Sequence, residues 1–329
     1  MRFTSCESIS AVANDVASMK SASPLRVGVY FENRSANAER LSDVERSELL
    51  IKLAKHGAVL LRGFDSDVNT FSSLVQAITP KTAIDPARSF FARNVQLVDS
   101  GTNEIGLHCE NGTTPVVPNV VWFFCERQAV SGSQTTLCDG VAVWKLLSLE
   151  AKRLFLSNRV RFSRNVKHEL WMKYVKHHFP HLSAVPEIKQ EMLDDVFKAI
   201  DGSEARINAD GSLFLAQSVF AAHSTFWGEV IAFANSLFTP SHNYEAPKIC
   251  FENGESIPEW LLIEARSKSE LMTTEIPWET GDIVLIDNTR VMHGRRKIRD
   301  PNRKLFTALG FLRDEDRALS STAIAEVCL

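Results

Sequence analysis

Apolar residues in this chain fall mostly into short runs bounded by Gly, Pro, Asn and Asp, the pattern of buried strands. Gly57-Ala-Val-Leu-Leu-Arg-Gly-Phe64 is one such run, its four apolar residues ended by Arg62-Gly63. Val116 to Cys125 is a second, entered through Pro118. Val160 to Asn165, Ala205 to Asn208, Leu213 to Val219, the run from Gly281 to Asn288 and Lys304 to Leu312 read as further strands, with a turn at Asn208 to Gly211. Arg26 to Phe31 predicts a short strand, Arg88 to Asp99 loop and strand, and Ser131 to Gly140 a loop followed by a short strand. Helical spacing takes over from Leu41 to Lys55, stopping at His56-Gly57, and again from about Asn69 to Ile78 and from Val141 to Leu156. The same period predicts helices between Lys167 and Ile200, from Phe226 to Phe238, and from Pro258 to Lys268, where the proline suits a first turn. Strands separated by turns, with helices near the N-terminus and in insertions, predict a mainly β fold with helices, either a β-sandwich or a jelly roll with a double-stranded β-helix core. We expect one domain over 1–329, with a core of about 45–315 and a helical insertion or lid at about 165–205.

Composition narrows the function classes. Lys plus Arg (37) is outnumbered by Asp plus Glu (40), giving a formal net charge of -3. A nucleic-acid partner is therefore not expected. No apolar run approaches the roughly 20 residues needed to cross a bilayer, and Met1 to Cys6 lacks the apolar core of a signal peptide, so a cytoplasmic protein without a membrane partner is expected. The six cysteines are scattered without a Cys-x-x-Cys pair, which indicates neither a zinc ribbon nor a disulfide framework.

The candidate chemistry sits at Leu107-His108-Cys109-Glu110-Asn111-Gly112. On an extended strand His108 and Glu110, two apart, face the same way, and Cys109 between them reads as a small buried hydrophobe. One imidazole and one carboxylate on one face are two-thirds of a two-histidine, one-carboxylate metal site with open positions, the arrangement that suits non-heme Fe(II) oxygenases. A His-x-Glu triplet recurs by chance in long chains, so its weight depends on a third ligand. His293, reached from Gly281 through an apolar strand and a polar break, is the best candidate. His177, His178 and His181 lie in a basic stretch with no carboxylate at helical spacing and read as a solvated face. His56 reads as a helix end and His223 as loop or core.

With the triad placed, the chain resembles the iron(II)- and 2-oxoglutarate-dependent oxygenases of the taurine dioxygenase and clavaminate synthase type over about residues 45 to 315. The marks, in order, are Gly57 to Phe64, His108-Cys-Glu110, Gly132 to Asp139, Val160 to Asn165, and Gly281 to Asn288 running into His293-Gly-Arg295 and Arg303. The His-x-Glu triplet and the run Asp-Asn-x-Arg-x-x-His-Gly-Arg are most similar to the amino-acid-oxidising, syringomycin-pathway hydroxylase-like branch. The resemblance implies His108, Glu110 and His293 as iron ligands and catalytic centre, with 2-oxoglutarate and dioxygen as co-substrates. It also implies Thr135 and Arg303 as contacts of the distal carboxylate of 2-oxoglutarate. A planar, bidentate cation suits a carboxylate better than lysine does, although Arg295, Arg296 and Arg299 compete for that role. Arg62 reads as a structural ion-pair residue. Thr307 stands where sulfonate-binding relatives carry a second arginine, which argues against a sulfonate substrate. Arg93, Asn94, Asn111 and Thr307 are substrate neighbours by position only.

The resemblance implies hydroxylation of an unactivated C–H bond in an amino acid or amino-acid-derived compound of specialised metabolism, free or presented by a carrier protein. Succinate and carbon dioxide are the implied co-products. Desaturation, epoxidation or ring closure by the same cofactors is the alternative, and a non-catalytic jelly-roll binding protein is the alternative of another class. Specificity is expected in residues 80 to 107 and 165 to 225.

Overall fold

The computed structural model describes residues 30–32, 40–98, 101–228, 230–238 and 244–319. Two sheets face one another. The larger runs in the order Tyr30–Glu32, Ala58–Arg62, Ile283–Asp287, Val120–Arg127, Lys304–Phe311, Val95–Leu97 and Phe90–Ala92, with Lys81–Ala83 also on Lys304–Phe311. The smaller runs Thr273–Glu275, Thr135–Asp139, Val291–Arg295, Ile105–His108. All pairings are antiparallel except that of Tyr30–Glu32 with Ala58–Arg62.

The uninterrupted apolar runs follow from burial on both faces of the larger sheet. Ala58, Leu60, Val121, Phe123, Val284 and Ile286 point inward and pack with Leu137 and Val291 of the smaller sheet. Their alternates Val59, Leu61, Val120, Trp122, Phe124, Ile283 and Leu285 pack outward against the helices Arg46–His56 and Val68–Ile78. Asp67 caps the second of these helices by accepting from the amides of Asn69 and Thr70 at 2.9 and 2.7 Å. The first ends at Gly57, whose φ of 77° is a left-handed C-cap that glycine adopts without strain. The period of two also aims the site: in Val291–Arg295, Met292 joins the outer core and His293 turns inward.

The helices between Lys167 and Ile200 share a separate core. Helices His168–His178 and Gln190–Phe197 pack Trp171, Tyr174, Val175, Leu193 and Phe197 against Val166, Leu213 and Leu215. Those residues belong to the sheet Ser203–Ile207, Leu213–Val219, Val160–Val166, Lys248–Phe251.

Several expectations are corrected. Phe226 to Phe238 is not a helix: Ala222–Ser224 and Ile231–Phe233 pair as a hairpin, with Gly228 at a φ of 85° between them. Its aromatics serve two cores, Phe226 and Trp227 one and Phe233 and Phe238 another, which a single helix face cannot do. The helix expected over Val141 to Leu156 is two, Gly140–Leu146 and Leu149–Ser157, because Ser148 caps the second by accepting from the Ala151 amide at 3.2 Å. Leu41–Asp43 is a separate 3-10 turn ahead of Arg46–His56. His178 is half-buried against Tyr174, with ring centroids 4.5 Å apart, rather than on a solvated face. Of the strand expected at Arg26 to Phe31, only Tyr30 and Phe31 fall within the described residues.

Candidate active site

The smaller sheet pairs His293 with His108 on one side and with Leu137 on the other. Gly294 makes this packing possible. A Cβ there would lie 2.7 Å from the Ile105 carbonyl oxygen and 2.9 Å from Thr136 Oγ1. Strand Ile105–His108 ends at the first ligand, so strand alternation does not place Glu110. Asn288 does. Its Oδ1 accepts from the Glu110 amide at 2.8 Å, and its Nδ2 donates to the Glu110 and Pro118 carbonyls at 3.1 and 2.9 Å. Cys109 is buried beside Cys138 in the outer core, where burial raises its thiol pKa.

His108, Glu110 and His293 each bring one ligand atom within 4.8 Å of the other two. His108 Nδ1 donates to the Gly106 carbonyl at 2.9 Å, which fixes the tautomer and leaves Nε2 as the lone-pair donor. Burial, and then His293, push the His108 pKa down to about 4, so the ring is neutral near pH 7, as a metal ligand must be. Burial alone would raise Glu110, but Arg88 and His293 outweigh it and hold the carboxylate charged. Glu110 Oε2 lies 3.3 Å from His293 Nε2 and 4.0 Å from His108 Nε2. Two imidazoles and one carboxylate, converging on one point in a buried pocket, fit a divalent first-row metal such as iron(II).

Two cavities meet at this triad, and His108, Glu110, Arg88 and Ile105 line both. The smaller, about 40 Å³, runs between the sheets and is lined by Thr135, Phe123, His293, Arg295, Arg303 and Leu305. It carries three guanidinium groups against one carboxylate. Arg303 donates through Nη1 to the Ser133 carbonyl, and burial followed by Arg295 pushes its pKa down to about 10. Arg295 donates to the carbonyls of Gly101 and Asn103 at 3.0 and 2.6 Å. Arg296 instead pairs with Glu270 and Glu275 on the surface, and Arg299 is outside the cavity lining.

The larger cavity, about 150 Å³, has a wall of Val166, Trp171, Tyr174, Phe197, Leu213 and Leu215 from the insertion. Arg164, Asp85, Asn111, Thr113 and Tyr244 are among its polar groups. Of the four positional substrate candidates, only Asn111 lines it. Arg93 is exposed at a turn, and Asn94 bonds Ser72. Thr307 is fully buried in the larger sheet and lines neither cavity. Arg62 is the structural residue expected, bound to Asp282 at 2.9 and 2.6 Å and to Glu279 at 2.7 Å.

Sequence reasoning missed Arg88. Its Nη2 lies 3.2 Å from Glu110 Oε1, and its Nε lies 3.3 Å from Asp85. Nothing local marks this arginine as part of the site, because Glu110, the partner that ties it to the triad, is 22 residues away. Removing one member of a buried ion pair costs about 3–5 kcal/mol. Arg88→Ala is therefore expected to lower the melting temperature of metal-free protein by several degrees, with Mn(II) restoring more stability to the variant than it adds to wild type. Thermal melts with and without Mn(II) check this, and an unchanged melt would show the pair to be dispensable.

The model of the taurine catabolism dioxygenase TauD, TfdA family matches residues 22–309. Dapdiamide synthesis protein DdaC of Enterobacter agglomerans is 26% identical over 268 residues, covering 74% of this chain and 79% of that protein. A clavaminate synthase-like protein of Arabidopsis thaliana is 22% identical over 286 residues, covering 78% and 82%. Among solved structures, PvcB of Pseudomonas aeruginosa superposes with a TM-score of 0.56 over 87% of each chain at 13% identity, a likeness of fold.

Proposed function

The chain belongs to the TauD/TfdA dioxygenase family, and from this premise we propose that it hydroxylates an unactivated C–H bond of an amino acid or amino-acid-derived compound, using Fe(II), 2-oxoglutarate and dioxygen. The observation that carries the reading is the placement of one His–Glu–His triad between two cavities, a smaller one with a net cationic lining and a larger one whose charged groups balance and whose far wall is apolar. The cationic one suits a dicarboxylate, and the larger, mainly apolar one suits a substrate side chain. In this reading His108, Glu110 and His293 hold the metal, and Arg303 grips the distal carboxylate of 2-oxoglutarate beside the Thr135 hydroxyl. Fe(II) with 2-oxoglutarate and dioxygen supplies the oxidising power, one oxygen atom going to the substrate and the other to succinate, with release of carbon dioxide.

The protein's part is binding, orientation and exclusion of water. Arg88, held by both Glu110 and Asp85, keeps the carboxylate fixed where the cavities join. The insertion wall of Trp171, Tyr174, Phe197 and Leu215 keeps water from the far side of the triad. DdaC, a protein of dapdiamide synthesis, favours an amino-acid-derived substrate in a biosynthetic pathway, free or carrier-borne.

A panel of free amino acids and their carrier-protein thioesters, incubated with Fe(II), 2-oxoglutarate and oxygen, tests this through succinate formation and product mass. Hydroxylation adds one oxygen, whereas desaturation or ring closure removes two hydrogens. Succinate formation that no amino-acid probe stimulates, but a compound of another class does, would contradict the substrate assignment.

A further inference from the structure

Thr135 ends the inward-facing row of its strand: it is paired with Arg295, while Leu137 is paired with His293. The residue is buried and lines the cationic cavity, and its hydroxyl accepts from the Trp278 indole N–H at 3.0 Å. A hydroxyl has one hydrogen to donate and two lone pairs. With one lone pair taken by the indole, the rotor is constrained, and among the described residues the Thr135 O–H has no acceptor of its own. The hydrogen is thus left to a group in the cavity that can only accept, and a carboxylate is such a group.

Trp278 is itself firmly seated. It lies in the turn before strand Ile283–Asp287, where Arg62 grips the Pro277 carbonyl at 2.7 Å as well as Asp282 and Glu279. The Ile276 amide donates back to the Thr135 carbonyl at 2.9 Å, tying this segment to the threonine it serves.

We infer that Trp278 is a positioning residue for the co-substrate: its indole N–H orients the Thr135 hydroxyl so that the hydroxyl donates to the carboxylate of a bound 2-oxo dicarboxylate. The inference rests on the 2-oxoglutarate reading above. It also explains the Arg62 clamp, which fixes the turn that carries the indole.

The test is a double-mutant cycle read as 2-oxoglutarate affinity, with Fe(II)-loaded protein titrated anaerobically and followed by the visible charge-transfer band. Trp278→Phe keeps an aromatic ring while removing the donor together with part of the indole's volume, and it is expected to weaken 2-oxoglutarate about fivefold to tenfold. In a Thr135→Val background the same change is expected to act less than about twofold, because no hydroxyl remains to orient. In a Thr135→Ser background the full effect returns. Affinity for Fe(II) alone and the melting temperature are expected to stay near wild type in the Trp278→Phe variant. Equal losses in the threonine and valine backgrounds would assign Trp278 to packing and overturn the inference, as would no loss with threonine present. A wild-type protein that takes up Fe(II) but gives no band with 2-oxoglutarate would overturn the 2-oxoglutarate reading itself, and this inference with it.

Discussion

Glu110→Ala is expected to abolish turnover and to weaken Fe(II) binding by more than about 100-fold. The magnitude follows from the architecture. Loss of an outer partner of a metal ligand costs roughly 10–100-fold in affinity, so loss of a ligand itself should exceed that. Here the carboxylate is also the sole anionic member of the triad and the partner of buried Arg88. Without it, a divalent cation faces two imidazoles and a guanidinium left with Asp85 as its acidic partner, which is an unfavourable site on charge. Glu110→Gln separates charge from shape. It retains the Asn288 bonds, which run through the Glu110 backbone, and should fold as wild type while still failing to hold metal. Equilibrium dialysis against Fe(II) under anaerobic conditions measures the loss. Metal bound at wild-type affinity in Glu110→Ala would mean that the ligand set is drawn wrongly.

Arg303→Ala is expected to raise the dissociation constant for 2-oxoglutarate by at least about 30-fold while leaving Fe(II) affinity within a few-fold. Truncating one partner of a desolvated charge pair costs about 2–5 kcal/mol, and the lower figure already corresponds to that factor. Arg303 donates to the Ser133 carbonyl, and burial, followed by like-charge repulsion from Arg295, already disfavours its charged form. An incoming carboxylate relieves both conditions. Arg295 is committed to two carbonyls but lines the same cavity, so some affinity should survive its neighbour's loss. Arg303→Lys keeps the charge and loses the planar fork, and an intermediate effect of about tenfold is expected. If Arg295→Ala costs more than Arg303→Ala in the same titration, the roles of the two arginines are exchanged.

Much of this site was legible in the chain because its parts obey local rules. The inward aim of His293 follows from alternation in an apolar strand, and the Arg62 clamp was recognisable as a structural ion-pair residue in its Gly-Phe turn. Glu110 was reached by an incomplete argument. Strand alternation suggested it, but the strand stops at His108 and a side chain 178 residues away does the positioning. Arg88 was invisible for a related reason: its function lies in contacts that no period or motif encodes. The hairpin taken for a helix at Phe226 to Phe238 shows the limit of periodicity, since residues divided between two cores can imitate one amphipathic face. The substrate cavity was anticipated only as the regions that would line it. Residues from both, Asp85 and Arg88 from one and Trp171, Tyr174 and Phe197 from the other, do so. Which of them meets the substrate depends on packing between elements far apart in sequence.

The most direct test of the whole account is an anaerobic titration of metal-free wild-type protein, first with Fe(II) and then with 2-oxoglutarate, followed in the visible range. The account predicts a weak charge-transfer band that appears only when both are present and saturates at one equivalent of each per chain. Folded protein that binds Fe(II) but develops no band would contradict it, and the two cavities would then belong to a binding protein built on the oxygenase fold.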